Sequence, residues 1–141
     1  LEGASFSECT AGEYGGGMYV WESGDVSLER ASFSECTAYA FDGGGMSVSN
    51  SGDVALKDAS FSECTAGSTG FYDEYRGGGM SVSNSGDVSL ERASFSECTA
   101  AFDGGGMSVS NSGDVALKDA SFSECTAGSS PGWAGEDGGG M

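Results

Sequence analysis

The chain has 141 residues, of which 22 are Asp or Glu, 5 are Lys or Arg and none is His, for a formal net charge of −17. So acidic a surface repels phosphate backbones and anionic headgroups, which argues against nucleic acid as a partner, and no apolar run is long enough to insert in a membrane. Divalent cations, basic proteins and neutral glycans remain as partner classes.

In chain order, residues 1–14 form a partial unit, because Leu1 to Ala4 match Leu28 to Ala31 and a Phe-Ser-Glu-Cys string follows at once. Full units occupy 15–42, 43–76, 77–103 and 104–137, and residues 138–141 start another. Each unit opens on Gly-Gly-Gly-Met, passes through Ser-Gly-Asp-Val and closes on Ala-Ser-Phe-Ser-Glu-Cys-Thr-Ala, a constant 24-residue frame. Variable inserts follow the frame at 12–14, 39–42, 67–76, 101–103 and 128–137. A constant frame with length variation at a single corner describes one repeat array across 1–141, expected to be a fragment of a longer repeat protein.

Inside one unit, apolar residues alternate with Ser, Ala, Asp or Lys in three short runs. Met46, Val48 and Asn50 share one parity, then Val54 and Leu56, then Ala59 and Phe61. This is strand periodicity, and the separators are turn-forming: Ser51-Gly52, Lys57-Asp58 and the insert after Ala66. One unit has too few apolar side chains to offset the conformational entropy of ordering it, so units must stack in register. The expected fold is all-β: a right-handed parallel β-helix, or β-solenoid, with three short strands per coil and about five stacked coils.

Stacking turns equivalent positions into columns. Glu29, Lys57, Glu91 and Lys118 alternate in sign down one column, and Arg30, Asp58, Arg92 and Asp119 alternate in the opposite sense beside it, as cross-coil ion pairs require. Phe6, Phe33, Phe61, Phe95 and Phe122 form an apolar ladder, and Cys9, Cys36, Cys64, Cys98 and Cys125 form another. One Cys per coil, with no His, lacks the spacing of a zinc site. The odd count favours thiols over disulfides, with Cys36 and Cys64 the pair to test for oxidation. By parity, Asn50, Asn84 and Asn111 point inward as an amide ladder.

Asp25, Asp53, Asp87 and Asp114 stack as like charges, which turn amides or calcium must compensate. Turn capping is the simpler account and calcium the one cofactor to consider. Glu8, Glu35, Glu63, Glu97 and Glu124 make a second acidic stripe. Ser pairs such as Ser47 and Ser49, Ser81 and Ser83, or Ser108 and Ser110 face outward as hydroxyl arrays. The first full coil departs from this pattern, with Tyr19 and Trp21 in place of serines and Glu22 in place of Asn. The inserts gather Tyr14, Tyr39, Phe41, Phe71, Tyr72, Tyr75, Phe102 and Trp133 along one edge, where they either shield the corner or contact a partner.

The recurring FSEC and GGGM strings resemble the FxxN and GGA-type repeats of the polymorphic outer-membrane proteins of chlamydiae, along the whole chain. The five Phe residues match the family's Phe and the glycines before each Met match its Gly pair, while Cys stands where that family has Asn. The resemblance implies a right-handed β-helix at a cell surface, often adhesive.

Every polar column repeats coil after coil, whereas catalysis needs a unique constellation of differently tuned groups, so the expectation is that the chain is not an enzyme. The leading function is a structural shaft of an extracellular filament, appendage or surface coat, self-associating or continuing within a longer chain. The alternative is an adhesin-like surface stalk that binds a receptor or glycan through its aromatic loop edge. Either reading places the protein outside the cell or on its surface.

Overall fold

The computed structural model describes residues 1–67 and 76–128. The leading half-unit gives β1 (Ser5–Ser7) and β2 (Thr10–Ala11). The first full unit gives β3 (Met18–Trp21), β4 (Val26–Glu29), β5 (Ser32–Ser34) and β6 (Thr37–Ala38), and the second gives β7 (Met46–Ser49), β8 (Val54–Lys57), β9 (Ser60–Ser62) and β10 (Thr65–Ala66). The third gives β11 (Met80–Ser83), β12 (Val88–Glu91), β13 (Ser94–Ser96) and β14 (Thr99–Ala100), and the fourth gives β15 (Met107–Ser110), β16 (Val115–Lys118), β17 (Ser121–Ser123) and β18 (Thr126–Ala127). Besides the three expected strands, each coil therefore has a two-residue Thr-Ala strand, too short to announce itself by alternation. No helix occurs among the described residues.

All pairing is parallel and joins each strand to its equivalent one coil away, giving four sheets in the orders β15-β11-β7-β3, β16-β12-β8-β4, β1-β5-β9-β13-β17 and β18-β14-β10-β6-β2. Register is residue for residue: Met80 faces Met46 and Met107, Leu90 faces Leu56 and Leu117, and Phe61 faces Phe33 and Phe95. The result is a β-solenoid of about four turns. Its core is a set of apolar rows running along the axis, in which Met46, Val48, Val54, Phe61 and Cys64 are each at most 1% exposed.

The corners explain how so small a coil closes. In the second full unit, Asn50, Asp58 and Glu63 have φ of 51°, 52° and 52°, and Gly43 makes the fourth corner at φ 72°. A left-handed residue redirects the chain within one peptide, at a cost of about 1–2 kcal/mol for a residue with a Cβ, less for Asn and Asp. The same three non-glycine corners recur in every described full coil.

These corners correct one expectation. Asn50, Asn84 and Asn111 do not point inward; all three are exposed, with φ of 51°, 48° and 49°. Alternation holds only while the backbone stays extended, so the inward parity of Met46 and Val48 ends before the left-handed residue is reached. The outward serines also differ from the expected open array. Ser47 and Ser81 are only 4% exposed. The chain doubles back tightly at the glycine corner, where a Cβ on Gly43 would lie 2.9 Å from the Cβ of Ser47.

The second glycine of each Gly-Gly-Gly has a separate reason. A Cβ on Gly44 would stand 2.3 Å from the Gly78 carbonyl oxygen and 2.4 Å from backbone atoms of Thr65. The backbones of one corner and the Thr-Ala strand thus approach more closely than any side chain allows.

Candidate functional surfaces

The charged columns lie where β4, β8, β12 and β16 end. Glu29 pairs in register with Lys57, Lys57 with Glu91, and Glu91 with Lys118. Lys57 Nζ lies 3.6 Å from Glu29 Oε1, and Lys118 Nζ lies 3.3 Å from Glu91 Oε1. In the next column, Arg92 grips Asp58 with two donors, Nε to Oδ1 at 2.6 Å and Nη2 to Oδ2 at 3.0 Å, and also reaches Glu91. Arg30 pairs with Glu29 at 3.3 Å and with Glu2 of the partial coil. The Arg92 guanidinium holds the Asp58 carboxyl below its ordinary range, and Lys118 with Arg92 does the same for Glu91. The pairs are exposed, so their main effect is to select register rather than to add much stability.

A further charged line was missed in the sequence. The residue just before the second, third and fourth Gly-Gly-Gly is Asp42, Arg76 and Asp103 respectively. The Asp42 Oδ1 accepts the Arg76 amide at 2.7 Å, and Arg76 Nε lies 3.5 Å from Asp103 Oδ2. Variable insert length hides this column when counting forward from Cys; counting back from the glycines reveals it. With Arg76 included, all five basic residues take part in ion pairs that reach another coil.

The Ser-Gly-Asp turn is a hydrogen-bond clamp working in both axial directions. The Asp53 amide donates to Asp25 Oδ1 at 3.1 Å, the Asp87 amide to Asp53 Oδ1 at 2.9 Å, and the Asp114 amide to Asp87 Oδ1 at 2.9 Å. The adjacent serines run the other way: the Ser51 amide donates to Ser85 Oγ, and the Ser85 amide donates to Ser112 Oγ, at 3.3 and 3.2 Å. Glycine is required between them, because a Cβ on Gly52 would come within 2.4 Å of the Asp25 carboxylate. The four Asp carboxylates are therefore spread one per coil, and those of Asp25, Asp53 and Asp87 are engaged with turn amides. Among the described residues no three His, Cys, Asp or Glu side chains converge as a metal site. The Glu column occupies exposed left-handed corners, each with φ of 52°.

Inside the solenoid, the five Phe rings stack with centroids 4.7–4.8 Å apart and planes within 7° of parallel. The five cysteines form free thiols beside them. Each hydrogen-bonds to backbone, as Cys64 does to the Ser62 carbonyl at 3.4 Å. Burial pushes the Cys36 thiol up, and for Cys64 the neighbouring Cys98 thiol and burial act together in the same direction. Cys36 and Cys64 are thus protonated, weakly reactive core groups at neutral pH.

The surface that departs from repetition lies on the sheet of β3, β7, β11 and β15. Tyr19 and Trp21 stand in register with Ser47 and Ser49 of the next coil. They are 46% and 54% exposed. Tyr19 stacks on Tyr14, centroids 5.1 Å apart at 15°, and Tyr14 stacks on Phe41 at 4.8 Å and 13°. Tyr14, Tyr19 and Trp21, the serine rows, the Asn corners and the Asp42–Arg76 edge line a groove of about 380 Å³.

Of the predicted insert aromatics, Tyr14 and Phe41 thus meet at the groove, Tyr39 is 46% exposed, and Phe102 is half-buried. Phe71, Tyr72, Tyr75 and Trp133 lie outside the described residues. Tyr19 and Trp21 were not singled out as contact residues in the sequence, although their break in the serine pattern was visible. No helix among the described residues is long and apolar enough to cross a membrane. In comparison with known proteins, the family described as right handed beta helix region matches residues 2–138. No curated protein and no solved structure matches.

Proposed function

The chain belongs to the right-handed β-helix family, and from that premise we propose that it is a structural repeat protein, the shaft of an extracellular filament, appendage or surface coat. One observation carries the reading: the Ser-Gly-Asp turns and the charged columns are occupied in axial bonding from coil to coil. Asp carboxylates cap the amides of the following coil, serine hydroxyls accept those of the preceding one, and the basic residues pair across coils. Such a molecule spends its polar chemistry on its own continuity. It is read as non-catalytic because its acidic columns repeat the same group coil after coil, whereas catalysis needs differently tuned groups in one constellation.

The likeness of the FSEC and GGGM strings to surface repeats supports a place outside the cell. Electron microscopy of the native material tests the proposal. Continuous fibres with a spacing of about 4.8 Å per coil along the axis are expected. Short discrete rods carrying a terminal knob would overturn the filament shaft and favour the adhesin-like stalk.

A further inference from the structure

The groove over the sheet of β3, β7, β11 and β15 goes beyond a shaft, because a shaft needs no departure from serine at Tyr19 and Trp21. We infer that this groove is a binding site for a neutral glycan chain, with Tyr19 and Trp21 as its stacking platform and the serine and Asn rows as its hydrogen-bonding floor.

The chemistry follows from what the groove presents. A sugar ring has a flat C–H face and a rim of hydroxyls. Tyr and Trp supply apolar bodies with polar tips, suited to the face, and hydroxyl and amide groups both donate and accept, suited to the rim. Here the two kinds of group are adjacent. Tyr19 and Trp21 occupy one coil, and Ser49, Ser83 and Ser110 continue the Trp21 row through three more, at a strand spacing of about 4.8 Å. The floor is therefore roughly 14 Å long, enough for a few sugar rings.

Preorganisation favours the same conclusion. The Tyr19 ring is held by Tyr14, which is itself held by Phe41, so the platform is set before a ligand arrives. A groove of about 380 Å³ is of small-ligand size, too small for a folded protein partner.

Charge decides between glycan classes. The floor is neutral and the one cation on the wall, Arg76, already faces Asp103. With a formal charge of −17 on the chain and Asp42 on the same wall as Arg76, an anionic polysaccharide meets net repulsion.

Isothermal titration calorimetry of the full chain with β-1,4-linked glucose and mannose hexasaccharides, and with an oligogalacturonate, tests the inference. Tryptophan fluorescence is followed in parallel. At least one neutral hexasaccharide is expected to bind and the galacturonate not to. The double variant Tyr19→Ser, Trp21→Ser places in this coil the residues its neighbours carry at the same register, so its far-UV spectrum and melting curve serve as the folding control. It is expected to weaken binding by about tenfold or more, on the scale of two lost aromatic contacts. Absence of binding to both neutral sugars, equal or tighter binding of the galacturonate, or unchanged affinity in a folded double variant would each overturn the inference. None of these results bears on whether the protein forms fibres.

Discussion

Replacing Phe61 with Ala tests whether stability resides in the axial ladder. The Phe61 ring is 1% exposed and its centroid lies 4.7 Å from those of both Phe33 and Phe95, nearly parallel to each. Deleting a buried Phe side chain costs about 3–5 kcal/mol, and the two ring contacts add about 0.5–1.5 kcal/mol each, so a loss of about 4–8 kcal/mol is expected. Phe6 belongs to the same ladder, but it is half-buried and stacks only on Phe33. Its replacement by Ala should cost about 2 kcal/mol, from partial burial and one contact. Phe61→Leu keeps most of the volume and loses both ring contacts, so about 1–3 kcal/mol is expected. Urea unfolding followed by far-UV circular dichroism measures all three. Phe61→Ala should also broaden the transition, because coils on either side interact only through their neighbours and the variant weakens the central interface. Equal costs at Phe6 and Phe61, with unchanged cooperativity, would refute the ladder argument.

Two further perturbations probe the polar columns. Asp53→Ala removes the acceptor for the Asp87 amide and should cost about 1–2 kcal/mol, whereas Asp53→Asn keeps an oxygen in place and should cost less. On the capping reading, added calcium leaves the melting temperature of the parent protein unchanged, so a calcium-dependent rise would show that the Asp column serves a cation instead. Glu91→Gln addresses the ion pairs through pH. Because Lys118 and Arg92 hold Glu91 below its ordinary value, its contribution is present above about pH 4.3, the unfolded value, and is lost as pH falls through the depressed folded value. The stability difference between parent and variant should therefore be positive at neutral pH, shrink in acid and shrink in high salt. A difference that persists at low pH would assign the residue's role to packing.

The repeat made much of this legible in advance. A constant frame places Glu29 beside Lys57 and Phe33 beside Phe61 whatever the details of the coil, because parallel stacking in register leaves no other partner for either. The Thr-Ala strands escaped notice, since two residues show no period. The Asn corners were misplaced because counting parity assumes extended backbone, and a residue at positive φ ends the count. The Asp42–Arg76–Asp103 line and the groove escaped for a related reason, as inserts of unequal length shift the numbering between coils.

What the sequence by itself determined was therefore everything periodic: the strand rows, the apolar ladders, the sign alternation of the charges and the parallel stack that joins them. The tertiary structure alone decided which way the corner residues face, that the carboxylates of Asp25, Asp53 and Asp87 reach the amide of the following coil, and that Tyr14 and Tyr19 stack beside a serine-floored groove. Those outcomes depend on left-handed turns and insert paths, whose directions are set by contacts between residues of different coils rather than by any local preference of the chain.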